Sequence, residues 1–532
     1  MFWADKIAEK IALQYKDKIA DGKKLIIRDE KTMSGRVHIG SMRGVAIHGI
    51  VSEALKERGI ENEFFFEIND FDAMDGIPVY LDRETYEPYM GVSLCDIPSP
   101  DLTTGQAGGT AKNFAEYFAE EFLGVIKEAG FAPTYYRSSE KYRSGAYNDM
   151  IKTALDRAEL IRTIYKETSG SVKGEDWWPL NVRCEKCGKI STTRVLSWDG
   201  SEVEYECRDI EWAKGCGIRG RISPLNGNAK LPWKVEWAAK FSVIDVDIEG
   251  GGKDHSTRGG SRDVANHISR EVFGRKPPFD IPYEFFLIGG KKMSSSKGQG
   301  SSAREFADLL PPQLLRYSLL YKDINQQINV DPEGDAIPLL FDGYDRAAGA
   351  FWSGKDDDVA RLFKLVNQTD PKLLEKRALP RFSTVAYLVQ MPHIDIVAEF
   401  EKLEGLSYGE RDREELEERA KYARIWLDTY APEDFKFEIK ETLPAEAKNF
   451  TPEQKAALKK VLEYVKSQAA LDGQELHTEL HEIRKASGLE AAQFFGALYL
   501  CILGKQSGPK AGWFLSVLDR NFLETRLEEA AS

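Results

Sequence analysis

Two short loops and one cysteine cluster hold the residue types that do chemistry. The first loop, Ser34-Gly35-Arg36-Val37-His38-Ile39-Gly40-Ser41, stands between a strand-like run and a helix-like run. Phosphates need small residues that admit the backbone and donors aimed at the charge, and a helix N-terminus adds a favourable dipole. His38 offers a donor and Gly40 close approach. The spacing Gly35-x4-Gly40-Ser41 resembles a Walker A loop but lacks the lysine before the serine, which excludes that site. The second loop, Gly289-Gly290-Lys291-Lys292-Met293-Ser294-Ser295-Ser296-Lys297-Gly298, follows an apolar run. Its lysines and serines suit neutralisation of a leaving pyrophosphate. Taken singly, each loop is equally well a turn with an incidental histidine or a solvated basic stretch.

Four of the six cysteines fall between 184 and 216. Cys184-Glu185-Lys186-Cys187 is a Cys-x2-Cys knuckle, and Cys207 and Cys216 complete a set of four thiolates suited to tetrahedral structural zinc. Metal-free thiols are the plainer alternative. Cys95 and Cys501 read as buried apolar residues. His477 and His481 stand at i, i+4 without the HExxH arrangement and read as ordinary helix histidines, and Gly250-Gly251-Gly252 lacks the GxGxxG spacing of a dinucleotide site.

The elements that must position these groups follow from periodicity. Lys24–Arg28 reads as a strand, Met42–Gly59 as a helix with apolar residues at Ile47, Ile50, Val51, Ala54 and Leu55, and Phe64–Ile68 as a buried strand. From about Met90 to Trp237 the chain is rich in Gly, Trp and Cys and reads as an insertion. Strand signals return in Phe241–Ile248 and Ile281–Ile288, with a helix opened by Ser261 between them. The expected fold is α/β: a Rossmann-type doubly wound catalytic domain split by a zinc-bearing insertion, then an all-α C-terminal domain. The expected boundaries are 1–89 and 238–342 for the two catalytic halves, 90–237 for the insertion with its zinc region about 180–220, and 343–532 for the helical part. Thr451-Pro452-Glu453-Gln454 predicts an N-cap, a proline at N1 and a capping box ahead of the stripe Leu458, Val461, Leu462, Val465.

The 532 residues are enough for two to four domains, and 42% hydrophobic with 30% charged residues is a globular balance. A membrane span and an export signal are both unsupported, so the expected compartment is the cytoplasm. A net charge of −13 is not the footprint of a general nucleic-acid binder, so an RNA partner would need a local basic face.

Taken together, His38-Ile39-Gly40 followed by Lys292-Met293-Ser294-Ser295-Ser296-Lys297-Gly298 resembles the HIGH and KMSKS signatures of class I aminoacyl-tRNA synthetases. Ser41 in place of the second histidine and the displaced second lysine resemble the class I lysyl-tRNA synthetase family. So do Thr32-Met33-Ser34-Gly35, Gly252-Lys253-Asp254-His255 before Gly259-Gly260-Ser261, and Gly508-Pro509-Lys510-Ala511-Gly512-Trp513-Phe514. The resemblance implies a lysine–tRNA ligase that uses ATP with Mg²⁺, has L-lysine and tRNA(Lys) as its partners, and is a monomer. It implies His38, Lys292 and Lys297 as the catalytic residues. ATP would be held by Ser34, Gly35, Val37, His38, Ile39, Gly40, Ser41, Asp254, His255 and the residues 292–297.

A lysine pocket needs a carboxylate for the ammonium and apolar walls for the stem. Glu30, Asp70 and Asp72 follow the flanking strands and could supply the acid, and the resemblance adds Thr32, Trp233, His255 and Tyr283. The family's Arg-Lys pair is absent from Phe71–Gly76. The rivals are a glutamyl-type enzyme, which would need an arginine against the substrate carboxylate, a tRNA-binding protein that does not charge, and a small-molecule nucleotidyltransferase.

Overall fold

The computed structural model describes residues 1–290, 302–391 and 394–532. The chain divides into two compact units, Met1–Val330 with Arg346–Leu374, and Asp331–Asp345 with Glu375–Ser532. The division read from sequence at Gly343 falls inside a single helix, Ala336–Trp352.

The first unit is built on a parallel sheet of five strands: β1 (Leu25–Thr32), β2 (Asn62–Asn69), β3 (Thr134–Arg137), β4 (Ile248–Gly252) and β5 (Phe279–Tyr283), in the order β5-β4-β1-β2-β3. Strand order reverses between β1 and β4, and at such a point the crevice beyond the carboxyl ends is where ligands bind. In β1, Leu25 and Ile27 are buried apolar residues of the core, while the even positions Arg28 and Glu30 share the other face. Strand β1 continues four residues past the apolar run that signals it in the sequence, because Asp29 to Thr32 pair in register with Phe66 to Asn69. Helix α1 (Met42–Glu57) then returns antiparallel to β1 with almost every side chain in its first three turns buried.

Three sequence expectations change. The run Phe241–Ile248 is not one strand. Phe241–Val243 is the last turn of a helix, α2 (Trp233–Val243), Asp245 turns with a φ of 56°, and β4 begins only at Ile248. A short apolar run fits either period, and here the helix upstream decides. Likewise Ile281–Ile288 breaks at Glu284 and Phe285 into the end of β5 and a separate strand, Phe286–Ile288, which pairs with Ile328–Val330. The stretch 90–237 is also not all insertion, since β3 lies within it and adds to the main sheet. Its remainder includes an antiparallel sheet of Thr193–Trp198, Val203–Cys207 and Arg219–Ile222.

The second unit is helical, with helices over Glu410–Thr429, Pro452–Ser467, Gly473–Ser487, Ala491–Leu503 and Arg520–Ala531. Thr451 and Gln454 form the capping box read from the sequence, and the stripe Leu458, Val461, Leu462, Val465 is buried. Among the described residues no helix is long and apolar enough to cross a membrane.

Candidate functional site

A cavity of about 380 Å³ opens at the carboxyl ends of β1 and β4. Asp29 to Thr32 of β1, Glu249 to Gly252 of β4, and Tyr283 at the end of β5 form its floor. His38, Gly40 and Ser41 line it from the loop before α1, and Trp233 and Trp237 from α2. The strand order and the short loop after β1 thus bring together groups that lie more than two hundred residues apart in sequence.

At one end, His38 precedes the turn Ile39–Ser41 that leads into α1. A Cβ on Gly40 would meet the His38 ring at 2.9 Å and the Phe286 carbonyl at 3.3 Å, so this position has room only for glycine. Ser41 makes no capping bond with its side chain. Val37 and Ile39 are buried in the core, leaving only their backbone to face a ligand, and Ser34 and Gly35 do not line the cavity. Asp254 and His255 also line it. Lys292, Met293, Ser294, Ser295, Ser296 and Lys297 lie outside the described residues.

At the other end stand three aromatic rings. Trp233 and Trp237, one helical turn apart on α2, are stacked at 5.9 Å, and His255 meets them edge-on at 5.5 and 5.8 Å. Trp233 remains 45% exposed, whereas Trp237 is nearly buried. The Trp237 indole N–H donates to Glu249 Oε1 at 2.5 Å, and the Arg262 guanidinium lies 5.4 Å from its ring. Those contacts fix the indole as a wall.

Beneath the aromatic end lies a buried ionic network. Arg28, fully buried, donates to Glu30, Glu67 and Glu249 at 2.5, 2.6 and 2.9 Å and to the Tyr136 hydroxyl at 2.9 Å. Lys240 of α2 reaches Glu30 at 2.5 Å and Glu67 at 2.8 Å. Glu30 and Glu67 are direct neighbours in the sheet register, so two like charges sit side by side and need both cations. Burial alone would raise the Glu30 carboxyl, but Lys240 and Arg28 outweigh it and hold it down to about 2.

The two aspartates singled out in the sequence are placed elsewhere. Asp70 accepts from the Ser138 hydroxyl and from both the backbone and the hydroxyl of Ser139, at 3.0, 2.8 and 2.6 Å, capping the helix Ser138–Arg143. Asp72 is held by Lys230 at 2.8 Å and accepts from Thr32 Oγ1 and Asn69 Nδ2 at 2.9 and 2.8 Å. Neither lines the cavity; Asp72 touches it only through Thr32, which does. Tyr283 lines the cavity as well, its hydroxyl raised by burial.

Sequence reading passed over Arg28, Trp237, Lys240, Glu249 and His48. The signal was present for some of them. Arg28 and Glu30 are charges at alternate positions directly after the apolar run Leu25–Ile27, and Glu236 and Lys240 are an i, i+4 charge pair on a helix whose other residues are mostly apolar. Charges in such places need partners at the same depth.

The four cysteines converge on one point. Their sulfurs all lie within 4.8 Å of one another, with Cys184–Cys216 at 3.5 Å and Cys187–Cys207 at 3.7 Å. Tetrahedral zinc with Zn–S bonds of about 2.3 Å sets its sulfurs roughly 3.8 Å apart, which these separations match.

The family described as tRNA synthetases class I (K) matches residues 1–370, and an anticodon binding domain matches residues 411–531. A lysine–tRNA ligase of Methanosarcina barkeri is 32% identical over 100% of this chain and 98% of its own length. The lysine–tRNA ligase of Archaeoglobus fulgidus is 32% identical over 100% of both chains. A solved glutamate tRNA ligase from Elizabethkingia meningosepticum aligns with a TM-score of 0.43 and 13% identity, over 96% of this chain and 99% of that one.

Proposed function

We infer, from the premise that this chain belongs to the class I lysyl-tRNA synthetase family, that it is a lysine–tRNA ligase. It activates L-lysine with ATP and passes the lysyl group to the 3′ end of tRNA(Lys). The observation that carries this reading is the two-ended cavity at the β1/β4 switch point, with phosphate-type donors at one end and an acidic, aromatic-walled recess at the other.

The lysine carboxylate attacks the α-phosphorus of ATP in line, the bond to the bridging oxygen breaks, and pyrophosphate leaves. A ribose hydroxyl at the tRNA end then attacks the carbonyl of the adenylate, the C–O bond to the phosphate breaks, and AMP leaves with the hydroxyl proton on its phosphate. Little proton transfer is needed, so positioning and charge stabilisation dominate. His38 donates to the phosphates. Gly40 and Ser41 let the α1 N-terminus approach them, and its dipole favours their charge. Lys292 and Lys297 neutralise the departing pyrophosphate, and Mg²⁺ bound with the ATP would supply further positive charge. Asp254 closes the nucleotide end, which His255 also reaches from its place beside the two indoles. Thr32, Trp233, His255 and Tyr283 shape the amino-acid end, with Asp72 orienting the Thr32 hydroxyl from behind.

Cys184, Cys187, Cys207 and Cys216 would hold a structural zinc ion, which supplies folding energy to the insertion rather than chemistry. The second unit is assigned to the tRNA anticodon on the strength of the domain match. The glutamyl alternative needs an arginine with donors to spare for a substrate carboxylate. Arg28 lies beneath the floor with its donors committed to three carboxylates and a tyrosine, and Arg262, whose Nη groups have no hydrogen-bond partner among the described residues, is buried against the Trp237 ring and does not line the cavity.

ATP–pyrophosphate exchange with each amino acid, with and without total tRNA, tests the assignment. Exchange with lysine alone is the expected result, and exchange with another amino acid overturns the specificity.

A further inference from the structure

We propose that Glu30 is the residue that receives the side-chain ammonium of the substrate, and that it thereby sets the preference for lysine. This rests on the lysine reading above and names the group that enforces it.

The case is one of available lone pairs. Asp29 and Asp254 also line the cavity, but Asp29 accepts the Glu30 backbone N–H at 2.8 Å and turns its other oxygen towards His48 and Gly44 of α1, and Asp254 belongs to the nucleotide end. Of the other carboxylates in and beneath the cavity, Asp70 has both oxygens taken by serine hydroxyls and a backbone N–H. Asp72 has both taken by Lys230, Thr32 and Asn69. Glu249 gives one oxygen to Arg28 and the other to the Trp237 indole, and it is almost wholly buried. Glu30 differs. Both of its bonds, from Arg28 Nη2 and Lys240 Nζ, fall on Oε2, while Oε1 has no hydrogen-bond partner among the described residues. Its side chain keeps 21% of its surface exposed, and it lines the cavity. Two buried cations thus hold the carboxylate by one oxygen and present the other. With its pKa held down to about 2, that oxygen is anionic at any working pH.

The surroundings suit a cation. The carboxylates of Glu30, Glu67, Glu249 and Asp72 share the cations Arg28, Lys230 and Lys240, while burial pushes the Glu236 carboxyl between Lys230 and Lys240 upward. An arriving ammonium meets Glu30 at the edge of that acidic group. Trp233 and Trp237 supply flat apolar walls for a methylene stem and faces that attract a cation. Direction follows from the chemistry. The substrate carboxylate must reach the α-phosphate at the His38 end, and its α-amino group lies one carbon away. A group roughly 6 Å further along an extended stem reaches the end where Arg28 ties Glu30 to Glu249 and Trp237.

The test compares L-lysine with 6-hydroxy-L-norleucine, which replaces the ammonium by a hydroxyl, in ATP–pyrophosphate exchange by the full-length enzyme and by Glu30→Gln. The KM for lysine is expected to rise about 10- to 100-fold while the KM for ATP stays within about twofold, and the preference for lysine over the hydroxyl analogue to collapse by the same factor. Equal losses for the two substrates would place Glu30 at the α-amino group or in a purely structural role and overturn the proposal, as would an unchanged preference. Glu30→Asp covers the case in which the glutamine variant does not fold. It keeps the charge on Arg28 and Lys240 but withdraws it by one C–C bond, about 1.5 Å. Preference should then move from lysine towards L-homolysine, and no movement sinks the proposal. Wild-type enzyme that activates a different amino acid removes the lysine reading and this proposal together. Lysine activation by wild type with no loss of preference in the variants removes only the proposal.

Discussion

His48 Nε2 accepts the backbone N–H of Gly250 at 2.7 Å, fastening α1 to β4 at the rim of the cavity. Its Nδ1 lies 2.8 Å from the Gly44 carbonyl. A nitrogen that accepts an N–H carries no proton, so the ring is neutral with its proton on Nδ1, even though Asp29, 3.6 Å from Nδ1, works against burial and pushes the imidazole upward. The imidazole is a strut between the helix behind the phosphate loop and the strand that carries Gly250, Gly251 and Gly252.

Replacing this strut should misplace β4 as well as weaken the fold. His48→Phe leaves the Gly250 N–H buried without an acceptor, at a cost of about 1–3 kcal/mol. Denaturant unfolding should show that loss. Exchange kinetics should show higher KM values for both ATP and lysine, because β4 borders both ends of the cavity. A variant with normal stability and normal KM values would mean the strut is redundant.

Gly250 itself has no room for a side chain. A Cβ there would stand 2.2 Å from the Ile281 carbonyl on β5, so β4 and β5 would have to separate. Gly250→Ala is expected to lower the thermal midpoint by several degrees, with loss of soluble enzyme as the extreme. A midpoint equal to wild type is incompatible with this packing.

These two contacts also mark how far the sequence could be read. The doubly wound order, the loop at His38 and the four cysteines are local patterns, visible as periodicity and spacing. The ends of the elements are less so. Phe241–Val243 belongs to a helix because Trp237 and Lys240, three residues apart on α2, face the network at Glu249 and Glu30. No local pattern encodes that. The choice among Glu30, Asp70 and Asp72 was likewise closed to sequence, since all three follow strands. Only the depth of Ser138, Ser139 and Lys230 beside the two aspartates shows which acids are already taken.

Stability should depend on pH through Glu30. Its folded carboxyl is depressed from the usual value of 4.5 to about 2, so the ionised form binds the fold more tightly than the unfolded chain. The stabilisation is complete above about pH 4.5 and is lost as pH falls towards 2. Denaturant titrations from pH 6 to pH 3 should show a steeper decline for wild type than for Glu30→Gln, which has no proton to take up there. Parallel declines would assign acid sensitivity to other groups.

Removing Lys292 or Lys297 should slow activation without unfolding the enzyme. Each is expected to act only as charge develops on the leaving pyrophosphate, so kcat for exchange should fall about 10²- to 10³-fold with little change in the KM for lysine. A rise in the KM for ATP at unchanged kcat would instead make that lysine a ground-state contact.

The cysteine cluster offers the last test. Four sulfurs within 4.8 Å of one another, one at the end of a small antiparallel sheet and three on the loops beside it, are an unfavourable arrangement unless something holds them. Thiols pack as small apolar groups, but thiolates at this distance repel, and only a bound cation makes the tetrad a net source of folding energy. The purified chain should therefore contain about one zinc ion per molecule. Chelation should expose thiols to a colorimetric reagent and lower the melting temperature. Cys184→Ser should reproduce both effects and, because the tetrad is not among the residues lining the cavity, should leave the KM values for ATP and lysine near wild type at low temperature. A metal-free chain with full stability would show that burial of Cys184 and Cys207 in the insertion's core is sufficient by itself.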